Sequence, residues 1–200
     1  MGRAAATRGI LLRLREQLEF LERGRELLKM KRDHLASEVN KLLSELAIRG
    51  EVEDKLKDAY ESLKSTYSTL GYSATLSEAS TVDKVEVDVK PYSIMGVVVS
   101  RISVKRKPDF NNIYNMYALE TAEKLASAIE SIMKLAETEF QIERLTMELM
   151  MTNRKVNALE KRLIPSLMEL IRYIEDKLEE EMLDEFFKAK LVRTAIRGRR

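Results

Sequence analysis

Apolar residues recur along the first third of this chain in alternating steps of three and four. Counted from Leu11 to Leu70, the steps reach eighteen positions, and fourteen are apolar: Leu11, Leu14, Leu18, Leu21, Leu28, Leu35, Val39, Leu42, Leu46, Leu56, Tyr60, Leu63, Tyr67 and Leu70. The four exceptions are Arg25, Arg32, Arg49 and Glu53. A seam held over about eight heptads predicts a coiled-coil helix. Gly24 and Gly50 weaken it by about 1 kcal/mol each relative to Ala. The pattern fades between Arg49 and Asp54, which predicts a break there.

The middle of the chain changes period. Gly71 opens a stretch rich in Ser, Thr and Tyr. VEVDV (85–89) alternates apolar and acidic residues, and IMGVVVSRISV (94–104) reads as a second strand. The short polar interval around Pro91 predicts a hairpin connection there. A lone hairpin is marginal in water, so this one should lean on a helix or a partner.

From about Asn112 the pattern is helical again, with no glycine between Gly96 and Gly198. Leu125, Ile129, Ile132 and Ala136 keep the rhythm. Val156, Leu159, Leu163, Leu167, Leu170, Ile174, Leu178 and Met182 then follow at steps of 3, 4, 4, 3, 4, 4 and 4. That spacing drifts toward an eleven-residue period and a straighter path. Pro165 falls inside this helix, where it removes a hydrogen bond and crowds the preceding turn, so a kink is expected. The predicted fold is mainly α: a long antiparallel two-helix coiled coil with a small central insert of β-hairpin and short helix. Its parts are an N-terminal helix (1–70), the insert (71–111) and a C-terminal helix (112–200). Helices of roughly 60 residues would form a shaft about 90 Å long.

Composition supports an elongated protein. Charged residues are 34% of the chain and aromatics 6%, which suits a large solvated helical surface. Lys and Arg exceed Asp and Glu by only 35 to 33, so the chain as a whole is not an obvious nucleic-acid binder. There is no cysteine, which excludes disulfides and thiolate metal sites and fits a reducing compartment. The first residues lack an apolar run long enough for a signal peptide, and no window approaches the roughly 20 apolar residues of a membrane span. No direct membrane insertion is expected.

Little catalytic chemistry is legible. His34 is the only histidine, so a His-based metal cluster or triad is not available, and it reads as a surface residue. Neither phosphate-cradling glycine motif occurs. No cofactor and no enzymatic activity are expected. Met147, Met150 and Met151 read as adaptable packing. Both ends are basic: Arg3, Arg8, Arg13 and Arg15 at the start, and Lys188, Lys190, Arg193, Arg197, Arg199 and Arg200 at the end. An antiparallel hairpin would bring them to one tip, as a solvated end, as a plug for an acidic protein socket, or as a weaker candidate for nucleic acid. Asn153 and Asn157, four apart, share a helix face and either meet a partner or stay solvated. Arg25 and Arg32 either snorkel out of the seam or pair with carboxylates of the returning helix. With the termini flush, the acidic run 175–185 would lie beside Lys29, Lys31 and Arg32.

Four stretches carry a resemblance. TRGILLRLREQLEFLERGRELLKMKRDHL (7–35), IMGVVV (94–99), TNRKVNALEKRLIP (152–165) and YIEDKLEEEMLDEFFKAK (173–190) resemble, in order and spacing, the motifs of the D subunit of the archaeal A-type and V-type rotary ATPases. The resemblance implies a non-catalytic central rotor shaft at the cytoplasmic face of the membrane, coupling ATP synthesis or hydrolysis to ion translocation. Its implied partners are the cavity of the hexamer of catalytic A and regulatory B subunits, the small F subunit, and the C subunit that caps the membrane ring, with no nucleic acid. Candidate partner-binding residues are Arg8, Arg13, Lys29, Lys31, Arg32, Ile94, Met95, Gly96, Asn153, Arg154, Asn157, Lys188, Lys190 and Arg193. Pro165 would help to bend the shaft. The tail 191–200 matches no motif. A prefoldin-like helical-hairpin chaperone or a coiled-coil scaffold is the alternative.

Overall fold

A computed structural model describes residues 7–197. Helix α1 spans Arg8–Glu45 and passes through a 3-10 turn, Leu46–Ile48, into α2, Arg49–Ser80. Strands β1 (Glu86–Ile94) and β2 (Val97–Arg106) follow. Helix α3, Met116–Ala158, passes through a π turn, Leu159–Leu163, into α4, Ile164–Arg197. The chain forms two compact units: residues 33–150, and residues 1–32 together with 151–200.

In the unit 33–150, α2 and α3 run antiparallel. Lys124 Nζ donates to Ser62 Oγ at 2.8 Å, and Lys55 Nζ donates to Ser131 Oγ at 3.3 Å. Thr66 Oγ1 lies 2.8 Å from Thr121 Oγ1, a buried hydroxyl pair within the seam. The fully buried core lies toward the other end, where Leu35, Val39 and Leu42 of α1 meet Val97 and Val99 of β2 and Leu145 of α3. The hairpin therefore leans on two helices, which supply the apolar cover that two strands cannot give each other.

The hairpin turns at Met95 and Gly96, not at Pro91 as the sequence suggested. Both turn residues have positive φ, 52° and 83°, the pattern of a two-residue type I′ turn. The ladder closes at Ile94 opposite Val97, and Pro91 pairs with Ser100 inside the strand. At that parity the Pro91 nitrogen faces the outer edge of β1, where no ladder bond needs an N–H. The outer edge of β2 is served by α3 instead. Ile102 N–H donates to Glu137 Oε2 at 2.9 Å, and Gln141 Nε2 donates to Ser100 O at 3.5 Å. Gly71 takes φ 78° and ψ 165°, so helical residues continue on both sides of a non-helical point.

The helical seam changes phase twice. Up to Leu46 the buried and half-buried positions of α1 follow the expected steps. After the 3-10 turn, Val52, Ala59 and Thr66 are buried, one residue before the expected Glu53, Tyr60 and Tyr67. Tyr60 and Tyr67 point outward, at 59% and 42% exposure. A 3-10 turn uses about 3.0 residues per turn instead of 3.6, so the stripe comes round sooner.

In the unit of residues 1–32 and 151–200 the opposite happens. After the π turn, Ile164 and Ile171 are buried, one residue later than the expected Leu163 and Leu170, which are 49% and 40% exposed. Ile164 N–H donates to Leu159 O, five residues back, so the π turn takes up one extra residue. Downstream, Ile164, Leu167, Ile171, Ile174 and Leu178 form a regular 3-4 seam of their own, buried or half-buried throughout.

Candidate partner-binding surfaces

In the unit of residues 1–32 and 151–200, α1 and α4 run antiparallel in a register set by named contacts. Arg8 Nη2 donates to Met182 Sδ at 3.2 Å. Arg15 Nη2 meets Glu175 Oε1 at 2.6 Å. Lys29 Nζ meets Glu160 Oε1 at 2.5 Å. The expected pairing of the Lys29, Lys31, Arg32 cluster with the acidic run 175–185 is therefore wrong by about four turns from the near end of the run and more from its middle. The physical reason is that α4 continues past the first described residues of α1, so the ends are not flush.

Arg25, Lys29 and Arg32 lie on one face of α1, and Glu160 pairs with the middle one, Lys29. The hydrogen bond from Lys29 holds the Glu160 carboxyl below the usual glutamate range. Partial burial opposes the shift, while the charges of Lys29, Arg25 and Arg32 reinforce it. The direct ion pair at this carboxylate is made by Lys29, and the two seam arginines act on it only through their charge. Arg25 and Arg32 are half-buried, as is Lys31, which is also engaged in a contact of its own. Glu160 itself is a residue that sequence reasoning missed. Its signal was the triad of cations at i, i+4 and i+7, which favours an anion on the facing helix.

The remaining candidates disperse. Arg13, Asn153 and Arg154 are exposed, and Asn157 is half-buried. Lys188, Lys190 and Arg193 are exposed on α4, about two to three turns beyond the residue that faces Arg8. Phe186 and Phe187, 64% and 58% exposed, pack edge to face just before them. This end of α4 therefore presents cations and aromatics together. Arg3, Arg199 and Arg200 lie outside the described residues, as does the side chain of Arg197.

In the other unit, Ile94 packs against the core, while Met95 and Gly96 form the exposed turn tip. Arg101 lies over the Tyr92 ring at 5.0 Å, shielding one face of the hairpin. The opposite face exposes Val87, Val89 and Val98. A cavity of about 280 Å³ lies between the second half of α2 and the start of α3, lined by Leu63, Val85, Pro108, Phe110 and Leu125 among others. Met147, Met150 and Met151, read from the sequence as adaptable packing, are about half exposed. His34 is exposed. Among the described residues, no group of three or more His, Cys, Asp or Glu side chains could hold a metal ion. No described helix is long and apolar enough to cross a membrane.

These features belong to a helix-pair protein with charged, apolar and turn surfaces available for partners. Known proteins give them a context. A family model described as the ATP synthase D subunit matches residues 10–194. The A-type ATP synthase D subunit of Methanosarcina acetivorans is 35% identical over 96% of this chain and 96% of its own length. That of Pyrococcus abyssi is 35% identical over 96% and 94%, and that of Methanopyrus kandleri 33% identical over 95% and 85%.

Proposed function

The chain belongs to the ATP synthase D-subunit family, and from that membership we propose that it is the non-catalytic central-stalk rotor shaft of an A-type or V-type rotary ATP synthase. The observation that carries the reading is the family match over residues 10–194 on a chain built from long antiparallel helices. As a shaft it couples ATP synthesis or hydrolysis in a hexamer of A and B subunits to ion translocation through a membrane ring. The exposed cations and aromatics of α4, from Phe186 to Arg193, suit the end that enters the hexamer cavity. The hairpin tip Ile94–Gly96 and the faces around Asn153, Arg154 and Asn157 suit contacts with the F subunit and with the hexamer's lower rim. The C subunit, capping the ring, is the third partner. The protein then sits at the cytoplasmic face of the membrane through its complex.

A shaft acts by presenting different side chains in different directions. Each of three catalytic interfaces then meets a different face, and each is biased toward a different conformation. The two phase changes of the seam contribute to that asymmetry, because they place apolar residues such as Leu163, Leu170, Tyr60 and Tyr67 on the outside.

The test is co-purification from native extract with this chain as bait, read by mass spectrometry. Recovery of A-type and B-type ATPase subunits with a small F-type partner is the expected result. Recovery of unfolded client proteins or nucleic acid without ATPase subunits would overturn the reading in favour of a chaperone or scaffold.

A further inference from the structure

In the unit of residues 1–32 and 151–200, both helices are weakened at one level. On α1, Gly24 sits in mid-helix, yet a Cβ there would meet nothing within 4 Å, so no close approach requires a glycine. On the facing helix, the π turn Leu159–Leu163 substitutes longer hydrogen-bonded rings for α-helical ones, and Pro165 follows without an N–H to donate. Two contacts bracket the level. On one side is the Lys29–Glu160 ion pair. On the other is a cavity of about 370 Å³ lined by Gln17, Phe20, Leu21, Leu163, Ser166 and Leu167. Gly24 falls between Leu21 and Lys29, as Pro165 falls between Glu160 and Leu167. Arg25, beside Gly24, keeps its Nε buried without a hydrogen-bond partner. A glycine, a π turn, a proline, an unfilled groove and an unsatisfied donor coincide within about two to three helical turns.

We propose that this level is a compliance joint built into the helix pair, bending and twisting more easily than the turns on either side. The Lys29–Glu160 and Arg15–Glu175 ion pairs bracket it and restrain the two helices from sliding. The physical basis is that Gly24 lowers helix propensity on α1, the π turn and Pro165 disturb the backbone ladder of the facing helix, and the groove thins the packing between them. The use of the joint, to yield elastically between power steps, rests on the shaft reading. Its existence does not.

The test uses the full-length chain, which has no native cysteine. Spin labels at Lys155→Cys and Arg172→Cys flank the π turn, and labels at Glu123→Cys and Phe140→Cys give a control of equal spacing in α3. Pulsed dipolar spectroscopy should show a broader distance distribution across the joint than in the control. Gly24→Ala should narrow it and raise Tm by about 2–4 °C, because alanine restores helix propensity where space is open. Deleting Lys161 together with Pro165→Ala, which removes the extra residue of the π turn, should narrow it further. A wild-type distribution as narrow as the control, or one that neither variant changes, would overturn the joint whatever the chain assembles with. A narrowed distribution in a chain that recruits no ATPase subunits would uphold the joint and count against the shaft reading instead.

Discussion

The 3-10 turn at Leu46–Ile48 and the π turn at Leu159–Leu163 are opposite solutions to one problem. The first brings the buried stripe round one residue early, to Val52, Ala59 and Thr66; the second brings it round one residue late, to Ile164 and Ile171. They lie in different units, and the units differ in how the stripe is then used. In the unit 33–150, a hairpin covers the helices, and Leu35, Val99 and Leu145 are fully enclosed. In the unit of residues 1–32 and 151–200, Leu11, Leu14, Leu18, Leu21 and Leu28 of α1 stay half-buried, while Ile164, Ile171 and Ile174 of α4 are enclosed. The lesson is that a two-helix seam encloses side chains from one helix, whereas a third layer lets several elements enclose theirs at one point. Stability should concentrate where the third layer is.

The largest test of that comparison is a pair of truncations. Leu145→Ala should cost about 2–5 kcal/mol, since it empties an enclosed site. Leu18→Ala, at a half-buried seam position, should cost well under half as much. Denaturant unfolding of the two variants measures both, and equal losses would break the comparison. Next in size, Gly96→Val should cost about 1–3 kcal/mol, because a β-branched residue must be held at φ 83° in the turn. A thermal melt would show the loss, and Gly50→Ala, where space is open and φ ordinary, should raise stability instead.

Smaller still, Thr66→Val should cost about 1–2 kcal/mol by leaving the buried Thr121 hydroxyl without its partner. The smallest effect separates the units by pH. Glu160 has its pKa lowered in the folded state, so its ionised form favours folding above the ordinary glutamate value. That contribution is present at neutral pH and fades as the pH falls through the lowered pKa. Lys29→Met should remove this part of the acid sensitivity while leaving stability in mildly alkaline solution to change little with pH. Melting curves across the acid range check it, and an unchanged acid limb would show that Lys29 does not hold Glu160 in solution.

Much of this was legible in the residues. The Leu11–Leu46 seam, both strands and the return to helix after Asn112 follow from period alone, because a period of 3.6 and a period of 2 leave different traces. The partner-binding candidates were legible as surface chemistry but not as a site. Arg8 and Lys29 find partners on α4 and the π turn before it, Met95 and Gly96 form a turn, and Asn153 and Lys188 share nothing but exposure. The hairpin turn was misplaced to Pro91 because proline is a turn signal only when its missing N–H has no better place, and an outer strand edge is such a place.

The sequence by itself determined the helical class, the presence of a hairpin and, through its ordered motifs, the family. Those depend on local periodicity and on the identity of residues along the chain. Only the tertiary structure decided the interhelical register, the two phase changes and the pairing of Lys29 with Glu160. A heptad pattern slides by whole turns at little cost in apolar contact, and a one-residue slip is invisible where Leu163 and Ile164, or Leu170 and Ile171, stand side by side. What resolves such degeneracies is the facing helix, which rewards one alignment of charge and side-chain volume over its neighbours.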